Sequence, residues 1–254
     1  MQTTEMKSPD AISMLGRIFV AVALVVFGVQ HFLYARFVGT LVPAWIPGGF
    51  FWANFVGAAF VAAALSIVTK IQARLAATLL GVMFLLFVVV VHTPRIAVHL
   101  KDSNGWTSGF VALGMTGCGF ILAGAGRARN CPWSILGRCC FGLAMVAFGI
   151  QHLVYAKFNT GIGPPWVPGR PLLACLAGAV LIATAAGILI GRRAQVAAML
   201  LGAALFFYSL LIYIPRLVAQ PHNPGPWTSG FEILALAGSA LVLSRLGRSD
   251  EGQT

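Results

Sequence analysis

FGVQHFLYARFVGTLVPAWIPGG (residues 27–49) returns later in the chain as FGIQHLVYAKFNTGIGPPWVPGR (residues 148–170). Each copy leaves a long apolar run through Gln-His and Tyr, then enters a short loop punctuated by Pro-x-Trp-x-Pro-Gly. The copies stand 121 residues apart, and the same offset pairs Gly16-Arg17 with Gly137-Arg138 and Pro94-Arg95 with Pro215-Arg216. It also pairs the WTSGF beginning at Trp106 with the WTSGF beginning at Trp227. Across 16–126 and 137–247, about a third of the paired positions are identical without a gap, the mark of a tandem duplication. The chain divides accordingly into a first unit at 1–126, a basic linker at 127–136 and a second unit at 137–254.

The solvent for these units is lipid. Hydrophobic residues make up 59% of the 254 positions and charged residues 9%, with a mean hydropathy of +0.88. A soluble domain carries about 25% charge. Apolar runs long enough to cross a bilayer core are expected near 13–34, 50–69, 75–98, 108–125, 135–155, 171–190, 196–217 and 229–246. The expected fold is therefore an all-α integral membrane protein of eight transmembrane helices, built as two four-helix repeats. An even number of spans per repeat gives both halves the same orientation, so the repeats are parallel.

A net charge of +11 would suggest nucleic acid in a soluble chain, but the distribution points elsewhere. Lys7, Arg17, Lys70, Arg74, Arg127, Arg129, Arg138, Arg192, Arg193, Arg245 and Arg248 fall on one side of an eight-span arrangement. Arg36, Arg95, Lys101, Lys157, Arg170 and Arg216 fall on the other. The positive-inside rule then predicts both termini and the linker in the cytoplasm, with the surplus cations there against anionic lipid head groups. No nucleic-acid-binding module is visible. The N-terminal apolar run is too long for a signal-peptide core and carries the repeated Gln-His, so it reads as a retained helix with a start near Ser8-Pro9-Asp10. The five cysteines (Cys118, Cys131, Cys139, Cys140 and Cys175) have no counterparts in the other repeat and form no C-x-x-C, which reads as packing rather than a disulfide framework.

Within each repeat, the first helix is expected to end at Gln-His-x-x-Tyr, and the loop after it to fold tightly or re-enter the interface. The second helix, rich in small residues such as Gly57 and Gly178, is expected to be the most buried and to lie near the interface between halves. A kink or helix end is expected at Pro94 and Pro215, and Trp106 and Trp227 are expected to open the fourth helix of their repeats.

The repeated polar and aromatic residues all fall on the outer half. They are Gln30, His31, Tyr34, Arg36, Trp45, His92, Arg95, Trp106 and Thr107, with Gln151, His152, Tyr155, Lys157, Trp166, Tyr213, Arg216, Trp227 and Thr228 as counterparts. Two readings stand side by side: an interfacial belt of aromatic and basic residues, and a shared outer ligand pocket, since ionisable groups at membrane depth are costly. His31 and His92 lack a further ligand, and Tyr213 replaces His92 in the second repeat, so neither haem nor metal is indicated. A quinone head group, needing a donor or two beside aromatics in an apolar slot, suits the set better. A transported solute or lipid is the rival, although no span is broken at mid-membrane and no charged relay crosses it. Glu232 is the one acid within an expected span; it reads either as the acid of an S-x-x-E capping box with Ser229 or as an ion-pair partner of Arg216.

The combination of FG-x-QH, PAWIPGG, the basic turn before the Gly81 helix, H-x-PR and WTSGF resembles the DoxX family of small bacterial membrane proteins. That family's four-helix unit is about the length of one repeat here, so the resemblance covers nearly the whole chain twice. It implies a membrane subunit of the kind linked to thiosulfate:quinone oxidoreductase, an accessory or quinone-interacting part of a redox system with a redox partner protein. A non-catalytic anchor or assembly factor is compatible with it too. The chain departs from the family pattern at Val111, where an acid is common, and at Tyr213, where His is common. The fused repeats are expected to pack as an internal pseudo-dimer.

Overall fold

In a computed structural model the chain is described over residues 10–155, 169–191 and 193–246. Asp10 starts the first helix: its backbone is extended and its carboxylate accepts the Ile12 N–H at 3.2 Å, satisfying one of the orphan donors at a helix start. Nine helices follow among the described residues: α1 (Ala11–Leu33), the short α2 (Ala35–Gly39), α3 (Gly49–Thr69), α4 (Ala73–Val98), α5 (Ser103–Gly124), α6 (Pro132–Val154), α7 (Arg170–Ile190), α8 (Ala194–Ala219) and α9 (Pro224–Leu243). All but α2 are long and apolar enough to cross a bilayer core. The protein is a multi-pass helical membrane protein. Side chains such as Leu33, Leu65 and Val218 are exposed on its outer surface, an arrangement that water would punish and acyl chains accept.

Helix bounds in the two halves stand at the offset of the paired sequences: α1 with α6, α3 with α7, and the starts of α4 and α5 with those of α8 and α9. Gly48 and Gly169, both at positive φ, open α3 and α7. The loop after α1 is tight: α2 brings Gly39 against Gly49, where a Cβ would lie 2.3 Å from the Gly39 carbonyl oxygen. The corresponding loop of the second half, with Lys157 and Trp166, lies outside the described residues, as do Lys7, Ser8, Pro9, Arg192 and Arg248.

The helices close into a ring in chain order, each packed on the next, with α9 returning to α1. The ring is pinched at its centre, where α5 touches α9. Consequently α5 and α9 are the most buried spans, at 72% and 56% of their apolar windows, against 33% for α3 and 22% for α7. This corrects the expectation for the small-residue helices. Gly57 of α3 and Gly178 of α7 pack inside their own halves, a Cβ there meeting His31 Cβ at 2.9 Å and His152 Cβ at 3.1 Å. The seams between halves are instead α1 on α9 and α5 on α6. Small residues still decide them, since in lipid helices associate by close packing rather than by escape from water. A Cβ on Gly16 would lie 2.4 Å from the Gly238 carbonyl oxygen, and one on Gly117 would lie 2.6 Å from the Phe141 nitrogen. At the central crossing, position-matched Cys118 and Ser239 both turn to the Ala235 carbonyl, at 3.9 and 2.9 Å.

Two further expectations shift in position. The helix end expected at Pro94 and Pro215 falls later: α4 and α8 continue past them to Val98 and Ala219, with a π-helical turn at Phe87–His92 and Ser209–Tyr213 as the irregularity beside each proline. Proline has no N–H and its ring crowds the carbonyl a turn earlier. Widening the turn relieves that crowding, and the Thr93 N–H and hydroxyl both donate to the Val88 carbonyl. The tryptophans do not open α5 and α9. Those helices begin three residues earlier, capped by Asp102, which accepts the Asn104 N–H at 3.1 Å, and Asn223, which accepts the Gly225 N–H at 3.0 Å.

Candidate functional site

The repeated polar residues gather at the end of the bundle away from the described ends of the chain, here the distal end. They fall into three settings. The first spans the seams. Gln30 ends α1 beside α9, where its amide nitrogen donates to the Pro224 carbonyl at 3.2 Å and its amide oxygen accepts from the Thr228 hydroxyl at 3.1 Å. At the other seam the Thr107 hydroxyl of α5 donates to the Gln151 amide oxygen of α6 at 3.2 Å. Each Gln-His motif thus reaches the WTS motif of the opposite half. Both threonines belong to the WTS motifs that recur 121 residues apart.

The second setting is between helices of one half. The His31 ring donates Nδ1–H to the Phe27 carbonyl at 2.8 Å, and His152 does the same to Phe148 at 2.9 Å. A carbonyl only accepts, so each neutral ring keeps its proton on Nδ1 and presents Nε2 as an acceptor. His31 stands edge-on to Phe60, ring centres 5.2 Å apart. His92 leans over Gly109 of α5, and Tyr213 over Gly230 of α9, the matched place. The Nδ1 atom of His92 is buried without a hydrogen-bond partner.

The third setting is the distal surface. Trp45 is 73% exposed, and Tyr34 and Tyr155 end α1 and α6 as half-exposed caps. Trp106 and Trp227 donate their indole N–H groups to the Leu100 and Pro221 carbonyls, both at 3.0 Å, and stack on Phe110 and Phe231. Arg95 pairs with Asp102 at 3.7 Å across the turn between α4 and α5. The second half has Asn223 where the first has Asp102, and its Arg216 lies over the Tyr213 ring at 5.8 Å. A shallow hollow of about 940 Å³ at this end is lined by the turn from Arg95 to Asp102, and Arg95 is the one repeated polar residue on its wall.

Glu232 takes neither role expected of it. Asn223 caps α9, so Ser229 and Glu232 stand inside the helix and form no capping box. Among the described residues no ion pair joins Glu232 to Arg216. Nor does any group of three or more metal-ligating side chains occur among them. Comparison with family models finds no match, and comparisons with curated proteins and with solved structures find none of significance either.

Proposed function

We propose that this chain is a pair of DoxX-like four-helix units fused into one covalent pseudo-dimer. It serves a redox system of the bacterial inner membrane as an accessory, quinone-interacting subunit, with both termini cytoplasmic. One observation carries the quinone reading: the buried, unpartnered Nδ1 of His92 at the distal end, three residues before Arg95. An imidazole nitrogen without a partner in an apolar setting is costly unless a ligand supplies the other half of the bond. A quinone carbonyl is such a ligand: apolar around its ring, with an acceptor at each end. His92 would donate to one carbonyl, and the Arg95 guanidinium, half-exposed beside it, would favour negative charge accumulating on a reduced head group. The resemblance in the FG-x-QH, H-x-PR and WTSGF motifs supports the same reading.

The test is extraction and quantification of quinone from the purified protein, with its ultraviolet–visible spectrum, before and after His92→Leu. Bound quinone in the parent and its loss in the variant is the expected result. Absence of quinone together with solute flux into proteoliposomes would replace this reading with a transporter.

A further inference from the structure

The opposite end of the bundle holds a groove that the distal chemistry leaves unused. It is about 500 Å³ and lies between the turn joining α3 to α4 and the start of α6. Lys70, Gln72, Arg74 and Thr78 line it together with the apolar Leu75 and Trp133. Leu75 is exposed on the lipid-facing surface, and Trp133 is held by stacking on Phe120 at 5.6 Å between ring centres. Neither cation meets a carboxylate among the described residues.

The backbone at Lys70 is one that glycine adopts more readily. Its φ is +63°, a left-handed conformation that side chains disfavour. The matching turn of the second half places Gly191 at this position, with φ +83°. Glycine adopts that conformation without strain. The first half thus keeps a lysine where its counterpart has glycine, in a turn whose uncharged Gln72 is left-handed as well, at φ +52°.

The second half also supplies a control for the whole groove. At the places of Lys70, Arg74, Thr78 and Trp133 it or its neighbouring helix carries Gly191, Gln195, Met199 and Ile12. The turn there is occupied by the protein itself: Arg129 of the linker donates to the Gly191 carbonyl, and Gln195 donates to the Leu246 carbonyl at 3.1 Å. Among the described residues the groove of the first half joins Lys70 and Arg74 to the Thr78 hydroxyl and the Trp133 indole, whereas the turn of the second half carries its cations as Arg129 and Arg193.

We propose that this groove binds the head group of an anionic phospholipid. The Lys70 ammonium and Arg74 guanidinium take the phosphate, the Thr78 hydroxyl donates to one of its oxygens, and the acyl chains descend past Leu75 and Trp133. Leu75, which is exposed, and Trp133 select a lipid over a free phosphate, because they offer acyl chains an apolar surface that phosphate alone cannot use. Basic pockets between transmembrane helices at such an end are suited to this class of ligand.

The test is thermal melting of the full chain, delipidated in neutral detergent, during titration with phosphatidylglycerol or cardiolipin. Phosphatidylcholine and inorganic phosphate serve as the other arms. A ligand that binds the native state raises the melting temperature, so the anionic lipids should stabilise and the other two should not. Lys70→Gly should raise the lipid-free melting temperature by about 1–3 °C, since it relieves the left-handed turn. Together with Arg74→Gln it should raise the half-saturating lipid concentration tenfold or more. Arg193→Gly relieves a similar strain, at φ +55° and outside the groove, and should leave the lipid response unchanged. An equal response to phosphatidylcholine, a full response to phosphate alone, or an unaltered lipid response in the Lys70→Gly, Arg74→Gln variant would overturn the assignment.

Discussion

Gln30 and Gln151 give the two halves their only side-chain-to-side-chain polar links at the distal end among the described residues, each to a threonine of the other half. Interhelical hydrogen bonds in a membrane are worth about 0.5–2 kcal/mol, because the unassembled helices also find partners. Gln30→Leu and Thr228→Val should each lower stability by about that amount, and a double-mutant cycle should return a coupling of ~0.5–1 kcal/mol. Additive losses would mean that the contact contributes nothing. The reverse is expected of Glu232 and Arg216, which form no ion pair: Glu232→Gln and Arg216→Gln should add within about 0.5 kcal/mol in thermal or denaturant unfolding. A coupling near the several kcal/mol of a desolvated pair would require them to meet. The sequence made the glutamines visible through their repetition. It could not show that each binds the opposite half, because motif spacing fixes a place along a helix and not the neighbour across it.

Among the helices, the legible part was what local chemistry dictates: eight apolar spans and the Tyr34 and Tyr155 ends of α1 and α6. The missed starts of α5 and α9 have a local cause as well. Asp102 and Asn223 lie in polar stretches that hydropathy assigns to loop, although their side chains cap a helix. Burial was misread because small residues permit close approach without naming the partner. Gly57 faces α1 within its half, while Gly16 and Gly117 hold the seams between halves. A Cβ at Gly57 meets the His31 Cβ at 2.9 Å and the Gly28 carbonyl oxygen at 3.2 Å; one at Gly16 meets the Gly238 carbonyl oxygen at 2.4 Å, the tighter of the two contacts. Both substitutions overpack at a cost of about 1–3 kcal/mol, and Gly16→Leu should sit at or above the top of that range. Thermal unfolding in detergent ranks them, and an equal or smaller loss for Gly16→Leu would contradict the seam assigned to α1 and α9.

For the molecule as a whole, the two ends differ in charge, and Cys131 reports on which end faces the cytoplasm. It lies just outside α6, its sulfur 3.0 Å from the Ser134 hydroxyl. Burial alone would raise its thiol; hydrogen bonding by Ser134 and the backbone of Ser134 and Trp133, with Arg127 nearby, outweighs that and leaves it below the ordinary thiol value. The thiolate is the reactive form, so labelling of Cys131 by an impermeant maleimide should persist to lower pH than labelling of a free cysteine. In inverted vesicles it should proceed, and in intact cells it should not. Labelling from outside intact cells would reverse the proposed topology. The order of the ring also sets a timetable for biogenesis. α5 and α6 are neighbours along the chain and can close their seam as soon as both are inserted. The Gly16 face of α1 waits for α9, the last of the described helices in chain order. At roughly 5–20 residues per second the intervening chain takes on the order of 10–50 s to synthesise. A ribosome that stalls or a message that is cut short within the second half therefore releases a protein with one seam shut and a glycine-lined face of its first helix open to the bilayer, available to any other small-residue helix that arrives first.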